Sequence, residues 1–130
     1  LSGIYGPGRG VGLSMKHGTY RLVENDPRYT NRIHVEDIIH ILNKALSSNS
    51  PLPPALNLSD DDPAPATEVF EFYHQTFQTP PAQHLTTEQA EAIGGRLTLN
   101  QRVSNALVKE RLRYTFLFPS FREGAGTEFS

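Results

Sequence analysis

The octapeptide Thr30-Asn31-Arg32-Ile33-His34-Val35-Glu36-Asp37 changes its hydrophobic period in the middle, and few architectures accommodate that change. Arg32 to Val35 alternate polar and apolar side chains, the period of a short half-buried strand. From Glu36 onward the period is helical. Val35, Ile38, Leu42 and Ala45 form one predicted apolar stripe, which Ile39 and Leu46 widen. Glu36, His40, Asn43, Lys44 and Ser47 fall on the opposite, wetter face. Glu36 and Asp37 occupy the first helical turn, where free amides and the helix dipole favour negative charge. A strand running straight into a helix points to an α/β chain, with Arg32 and His34 at the junction. Side chains held there are rigid and can face a cleft. The plainer reading of the same residues is a well-made junction whose His caps or packs.

Composition narrows the function classes. With 130 residues the chain suits one domain with a real core. A net charge of −2 gives no electrostatic reason to expect nucleic acid or an anionic membrane as partner. Without cysteine, disulfides, thiolate metal sites and thiol catalysis are excluded. Apolar runs are only a few residues long, too short to span a bilayer, and no signal peptide is visible, so a cytoplasmic location is expected. Leu1 to Tyr5 reads as a strand already in progress, which suggests a chain that lacks its N-terminal part.

That first strand runs into Gly6-Pro7-Gly8-Arg9-Gly10-Val11-Gly12. Neither GxGxxG nor GxxxxGK[ST] can be laid on these residues, so a turn that leaves backbone close to something is expected rather than a phosphate cradle. Thr19 to Val23 forms another short strand candidate, followed by an Asn25-Asp26-Pro27 turn. After the central helix, Ser47 to Pro54 is a loop. Ala55 to Leu58 is a buried-strand candidate closed by Asp60-Asp61-Asp62, which lacks the ligand spacing of a calcium loop.

A helix is expected to start near Pro65 and run to Phe77, its aromatic stripe of Phe70, Phe72, Tyr73 and Phe77 reading as core. Thr86 to Gln89 has the capping-box pattern and opens a short helix ended by Gly94-Gly95. Thr98 to Gln101 repeats that pattern and predicts a longer helix to about Leu112, buried through Leu99, Val103, Ala106 and Leu107. Thr115 to Phe118 is β-prone, and Pro119 to Gly124 turns away.

Catalytic signals are sparse. His17, His34, His40, His74 and His84 show neither HxxxH nor HExxH spacing, and neither Ser2 nor Ser14 lies in a nucleophile elbow. From the residues alone this is an α/β domain without a self-contained active site.

Leu1-Ser2-Gly3-Ile4-Tyr5-Gly6-Pro7-Gly8, Arg32-Ile33-His34-Val35-Glu36-Asp37-Ile38, Leu56-Asn57-Leu58-Ser59-Asp60-Asp61 and Phe118-Pro119-Ser120-Phe121-Arg122-Glu123-Gly124 come in a distinctive order. Together they resemble the C-terminal half of the extended short-chain dehydrogenase/reductases, the NAD-dependent epimerase/dehydratase family. The nearest look is to its atypical, sugar-nucleotide-epimerase-like members. The resemblance covers nearly the whole chain and implies a single incomplete unit over residues 1–130. That unit would comprise late strands and helices of a Rossmann-type fold with the smaller substrate-binding subdomain. Leu1 to Tyr5 would be a late strand of the parallel sheet, and Ala55 to Leu58 the next one at its edge.

The family's Gly-rich dinucleotide fingerprint is missing, and so is its Tyr-x-x-x-Lys pair: Tyr5, Tyr20, Tyr29, Tyr73 and Tyr114 are followed four places on by Arg9, Glu24, Ile33, Phe77 and Phe118. By resemblance both signatures would lie upstream of Leu1. The resemblance implies NAD or NADP as cofactor, bound mainly by the missing half, with Leu1 and Ser2 approaching its nicotinamide end. Gly3 stands where sugar-nucleotide members commonly have Asn, and Thr30 where they have Arg. Gly3, Thr30, Arg32 and His34 are the substrate-side residues so implied, for a small polar, sugar-related molecule. Arg32 would supply a substitute cation, or else pair structurally with Glu36 or Asp26. The expected assembly partner is a second copy of the longer protein. Two readings follow: the substrate-side portion of an NAD(P)-dependent oxidoreductase or epimerase, inactive alone, or a non-catalytic binding module that reuses this half-fold.

Overall fold

The computed structural model describes residues Leu1 to Ser130 and begins with the strand β1, Gly3–Tyr5, and the helix α1, Val11–Lys16. The strands β2 (Arg21–Val23), β3 (Tyr29–Thr30) and β4 (Arg32–His34) lead directly into α2, Val35–Ser47. Next come β5 (Ala64–Pro65), α3 (Ala66–Phe77), β6 (Gln83–Leu85) and α4 (Thr87–Ile93). A 3-10 turn over Gly95–Thr98, α5 (Ala106–Leu112), α6 (Phe121–Gly124) and a final 3-10 turn over Ala125–Phe129 complete the chain. The strands form three two-stranded ladders. β1 runs parallel to β4 with Gly3 opposite Arg32 and Tyr5 opposite His34, β2 runs parallel to β6, and β3 runs antiparallel to β5. No helix is long and apolar enough to cross a membrane.

The junction between β4 and α2 forms as its period predicts. His34 is the N-cap of α2, its Nδ1 accepting from the Glu36 amide at 3.1 Å. The helix is rotated relative to the predicted stripe, however. Asp37 and Ile41 are buried, Ile38 and Ala45 pack partly against the core, and Ile39, Leu42 and Leu46 are 51%, 52% and 86% exposed. Asp37 sets the rotation. Its carboxylate accepts from the Tyr114 hydroxyl at 2.5 Å and from the amides of Leu117 and Phe118 at 2.8 and 3.1 Å. Three donors converging on one buried carboxylate outweigh the placement of two leucines.

Those bonds also explain why the β-prone segment Thr115 to Phe118 forms no ladder. Two of its amides are taken by Asp37. Ala55 to Leu58 is not a strand either: only the Leu58 carbonyl is engaged, by the Ser2 amide at 3.1 Å, and Leu1 and Ser2 lie outside β1. The second capping pattern does not start a helix. The Asn100 side chain accepts from the Tyr29 amide at 2.9 Å, and Asn31 clasps the Gln101 carbonyl and the Val103 amide at 2.8 and 2.9 Å. Those contacts keep residues 99–104 out of a helix, so α5 begins only at Ala106. The first capping box is intact, with the Thr86 and Gln89 side chains each bonding the other's amide. Helix α1 and strand β6, which the periodicity did not reveal, flank the pair of glycine-rich and Pro-rich turns that interrupt any long pattern.

Two cores result. One joins Ile33 and Ile41 to Val108, Leu112, Tyr114 and Phe116, between α2, α5 and the strand β4. The other joins Met15, Val69 and Tyr73 to Phe121 and Ala125, with Phe70, Phe72 and Phe77 of α3 packed around it. The aromatic stripe of α3 is therefore core.

Candidate functional site

The glycine-rich turn is closed against phosphate. Gly6 and Arg9 exchange backbone hydrogen bonds of 2.9 and 3.0 Å. At the start of α1, the Gly12 amide donates to the Glu128 carboxylate at 2.8 Å. A Cβ on Gly10 or Gly12 would lie 2.0 Å from a Glu128 oxygen, so these glycines admit the C-terminal turn rather than a ligand. The backbone amides that a dinucleotide's pyrophosphate would need are occupied by a protein carboxylate. The glycine-rich turn therefore offers no cradle for a dinucleotide's pyrophosphate.

A cavity of about 210 Å³ opens where β1 begins. Leu1, Ser2 and Gly3 form one wall and Tyr29, Thr30 and Asn31 a second. Arg96, Leu99, Gln101 and Val103, from the turn after α4, close the third. Four of the six residues implied by resemblance, Leu1, Ser2, Gly3 and Thr30, thus meet in one place. The side chains of Ser2, Arg96 and Gln101 have no hydrogen-bond partner within the protein and are free for a ligand. The Thr30 hydroxyl is already committed, donating to the Ala64 carbonyl at 2.9 Å and accepting from Arg32.

Arg32 and His34 are not brought into this cavity. Arg32 is 8% exposed, with its guanidinium 4.9 Å from the centre of the Phe121 ring and bonded to Thr30 and the Asp62 carbonyl. It pairs with neither Glu36 nor Asp26, since Asp26 forms an ion pair with Arg28 at 2.6 Å. Alternation along β4 puts Ile33 in the first core and turns residue 32 toward Phe121 of the second, which leaves it to hold Thr30 from behind. His34 is fully buried, stacked 3.9 Å from Phe118, its Nε2 2.8 Å from the Thr127 hydroxyl. Burial lowers its pKa against the pull of Glu36 and Asp37, so the imidazole is neutral. Since Nδ1 accepts, Nε2 carries the proton.

Arg32, bonded to Thr30 of the cavity wall, is buried together with the polar residues Tyr5, Asp60, Tyr73 and Glu128. Burial raises the Glu128 carboxyl to about 7 despite the Tyr73 hydroxyl, the Gly12 amide and Arg32, which favour its ionised form. Asp60 is likewise raised to about 7 by burial, opposed by the Asp62 amide and Arg32, and its Oδ2 has no partner. Burial and the nearby Asp60 carboxylate push the Tyr5 hydroxyl upward.

The cation that borders this cavity is Arg96 rather than Arg32. Its Nη1 sits 3.2 Å from where a Cβ on Gly3 would stand, over the backbone at which sugar-nucleotide relatives would carry Asn. What hides it in the sequence is that Gly94-Gly95 reads only as a helix stop. Both glycines have positive φ, 72° and 62°, and they fold the chain back so that the next residue faces β1.

No family model matches the chain. It is 29% identical over 136 aligned residues to a 3-diazoavenalumate denitrifying reductase from a Streptomyces species, covering 96% of this chain and 44% of the reductase. Among solved structures it superposes with a TM-score of 0.76 and 30% identity on a conserved protein of unknown function from Silicibacter pomeroyi, covering 97% of this chain and 45% of that one. It superposes equally, at 0.76 and 20% identity, on a human epimerase family protein crystallised with NADPH, covering 95% and 44%. The chain thus spans a little under half the length of the relatives it matches. Its parallel β1–β4 pair, the strand-to-helix junction and this coverage agree: the chain has the fold of the C-terminal portion of the extended, NAD-dependent epimerase/dehydratase type of short-chain dehydrogenase/reductase.

Proposed function

We propose that the chain is the substrate-side portion of an NAD(P)-dependent reductase or epimerase of the cytoplasm, acting on a small polar, sugar-related molecule and inactive without a dinucleotide-binding half. The observation that carries this reading is the cavity that joins Leu1, Ser2 and Gly3 to Thr30 and Arg96, residues up to 95 positions apart in the chain. Leu1, 75% exposed, would pack on the nicotinamide ring, and Ser2 would bond its carboxamide. Gln101 and Arg96 would hold the substrate, with Leu99 and Val103 excluding water. Nicotinamide supplies or accepts hydride when bound. The chain's own groups orient the substrate for that exchange, while the acid/base pair belongs to the other half.

In the longer protein, NADPH consumption should be followed with a panel of aldehydes, ketones and keto-sugars. Turnover by the longer protein, with none by the 130-residue chain alone, is the expected result. Full binding of a substrate with neither NADPH consumption nor an epimerised product at any pH, the latter read by proton NMR, would instead favour a non-catalytic binding module.

A further inference from the structure

The loop that follows α2 borders a basic hollow. A cavity of about 710 Å³ opens between the end of α2, residues 47–51 and the end of α5. Lys44, Arg111 and Arg113 line it against the single carboxylate of Glu110, on a chain whose net charge is −2. Lys44 fixes one side: its Nζ donates to the Leu112 and Arg113 carbonyls at 3.2 Å each, satisfying the free end of α5. The guanidinium groups of Arg111 and Arg113 form no ion pair in the protein. Three serines line the same hollow, and they are not equivalent. Ser47 is the last residue of α2, where the helix dipole disfavours added negative charge. The Ser48 hydroxyl is committed, donating to the Ser50 carbonyl and accepting from the Ser50 amide, both at 3.3 Å. Those bonds hold the Ser50 backbone and leave its own hydroxyl unpartnered on an exposed residue. Pro51 biases Ser50 toward an extended backbone, a form in which a segment can enter another protein's cleft.

We infer that Ser50 is a phosphorylation site whose phosphate is received by Arg111 and Arg113, pinning the loop after α2 to the end of α5. In the modifying step the Ser50 Oγ attacks the γ-phosphorus of ATP held by a protein kinase. The bond to the β,γ-bridging oxygen breaks, ADP leaves, and the hydroxyl proton passes to the kinase's base. The product carries close to two negative charges and three acceptor oxygens, which guanidinium groups match in bidentate fashion. Lys44 and the two arginines then face one dianion in place of open solvent. Because α2 and α5 both pack on the first core, the added tie acts on the junction that carries His34 and Asp37.

The longer protein is incubated with ATP, magnesium and a panel of kinases that take serine before proline, and its phosphopeptides are read by tandem mass spectrometry. One phosphate on Ser50, abolished by Ser50→Ala, is the expected result. No incorporation, or phosphate on Ser47 or Ser48 instead, overturns the site. Phosphorus NMR then follows the titration of the phosphoserine. Beside two guanidinium groups its second pKa, ordinarily about 6, should fall by roughly one unit. Arg111→Gln combined with Arg113→Gln should return it to the ordinary value. A phosphoserine that titrates at the ordinary value in the unsubstituted protein, or that the double substitution leaves unmoved, overturns the pairing. Inorganic phosphate that saturates the Arg111 and Arg113 Nε–H resonances of the Ser50→Ala protein would make the hollow a site for a free anion, and overturns the covalent reading. None of these outcomes depends on the first cavity, so a failure to consume NADPH leaves the inference standing.

Discussion

The Arg96 guanidinium lies over Gly3, with Nη1 3.2 Å from the point a Gly3 Cβ would occupy, and the Asn31 carbonyl stands at the same distance. The carbonyl is backbone and accepts from the Gly3 amide at 3.1 Å, so it cannot retreat far, whereas the arginine can swing. Gly3→Ala should therefore displace Arg96 and cost about 1 kcal/mol or less of stability. Its effect should be larger on turnover by the longer protein than on thermal melting, read by kinetics and calorimetry of one sample.

Asp37 ties the first turn of α2 to the segment before α6. Asp37→Ala leaves the Tyr114 hydroxyl and two backbone amides without their acceptor, and should cost about 3 kcal/mol or more. Asp37→Asn keeps one acceptor oxygen but aims an NH2 at a donor, and should lose an intermediate amount. Urea denaturation compares the two.

Glu128 should make the C-terminal turn pH-dependent. Its pKa is raised on folding to about 7, so the folded state binds its proton more tightly than the unfolded chain does. The associated stability is complete in acid and is lost as pH rises from about 4.5 through 7. Glu128→Gln preserves the acceptor for Gly12 and does not titrate. It should match wild type near pH 5 and exceed it by about 1–3 kcal/mol at pH 8, measured by thermal melts across that range.

His34 works in the opposite direction. Its pKa is lowered on folding, so its contribution is present above the ordinary imidazole value of about 6.5 and is lost as pH falls below it. Protonation at Nδ1 removes the acceptor for the Glu36 amide. His34→Asn keeps an N-cap oxygen but loses the Phe118 stack and the Thr127 bond. It should be less stable than wild type at pH 7.5, with the gap narrowing toward pH 5.

What the sequence made legible was local. The period change at residues 32–36, the Pro65 helix start, the first capping box and the fold class are each written in a few neighbouring residues, and each appears in the structure. What failed was long-range. Asn31 and Asn100 draw residues 99–104 out of the helix that Thr98 to Gln101 would otherwise open, and Asp37 both rotates α2 and cancels a strand at 115–118. The site divided along the same line. Leu1 and Ser2 lead into β1 at Gly3, Thr30 ends β3 two residues before β4, and these four residues, which resemblance named, line one cavity. Arg96 reaches them through two left-handed glycines, a path no local pattern records.

Under the proposed function, the wall formed by Leu1 and Ser2 meets a nicotinamide ring. The direct measurement is a nuclear Overhauser experiment on the longer protein, labelled at its leucine methyl groups and saturated with NADPH. Contacts between the nicotinamide ring protons and the Leu1 methyls are the predicted result. Saturating NADPH binding with no such contact, while the ring protons reach other leucines, would contradict it.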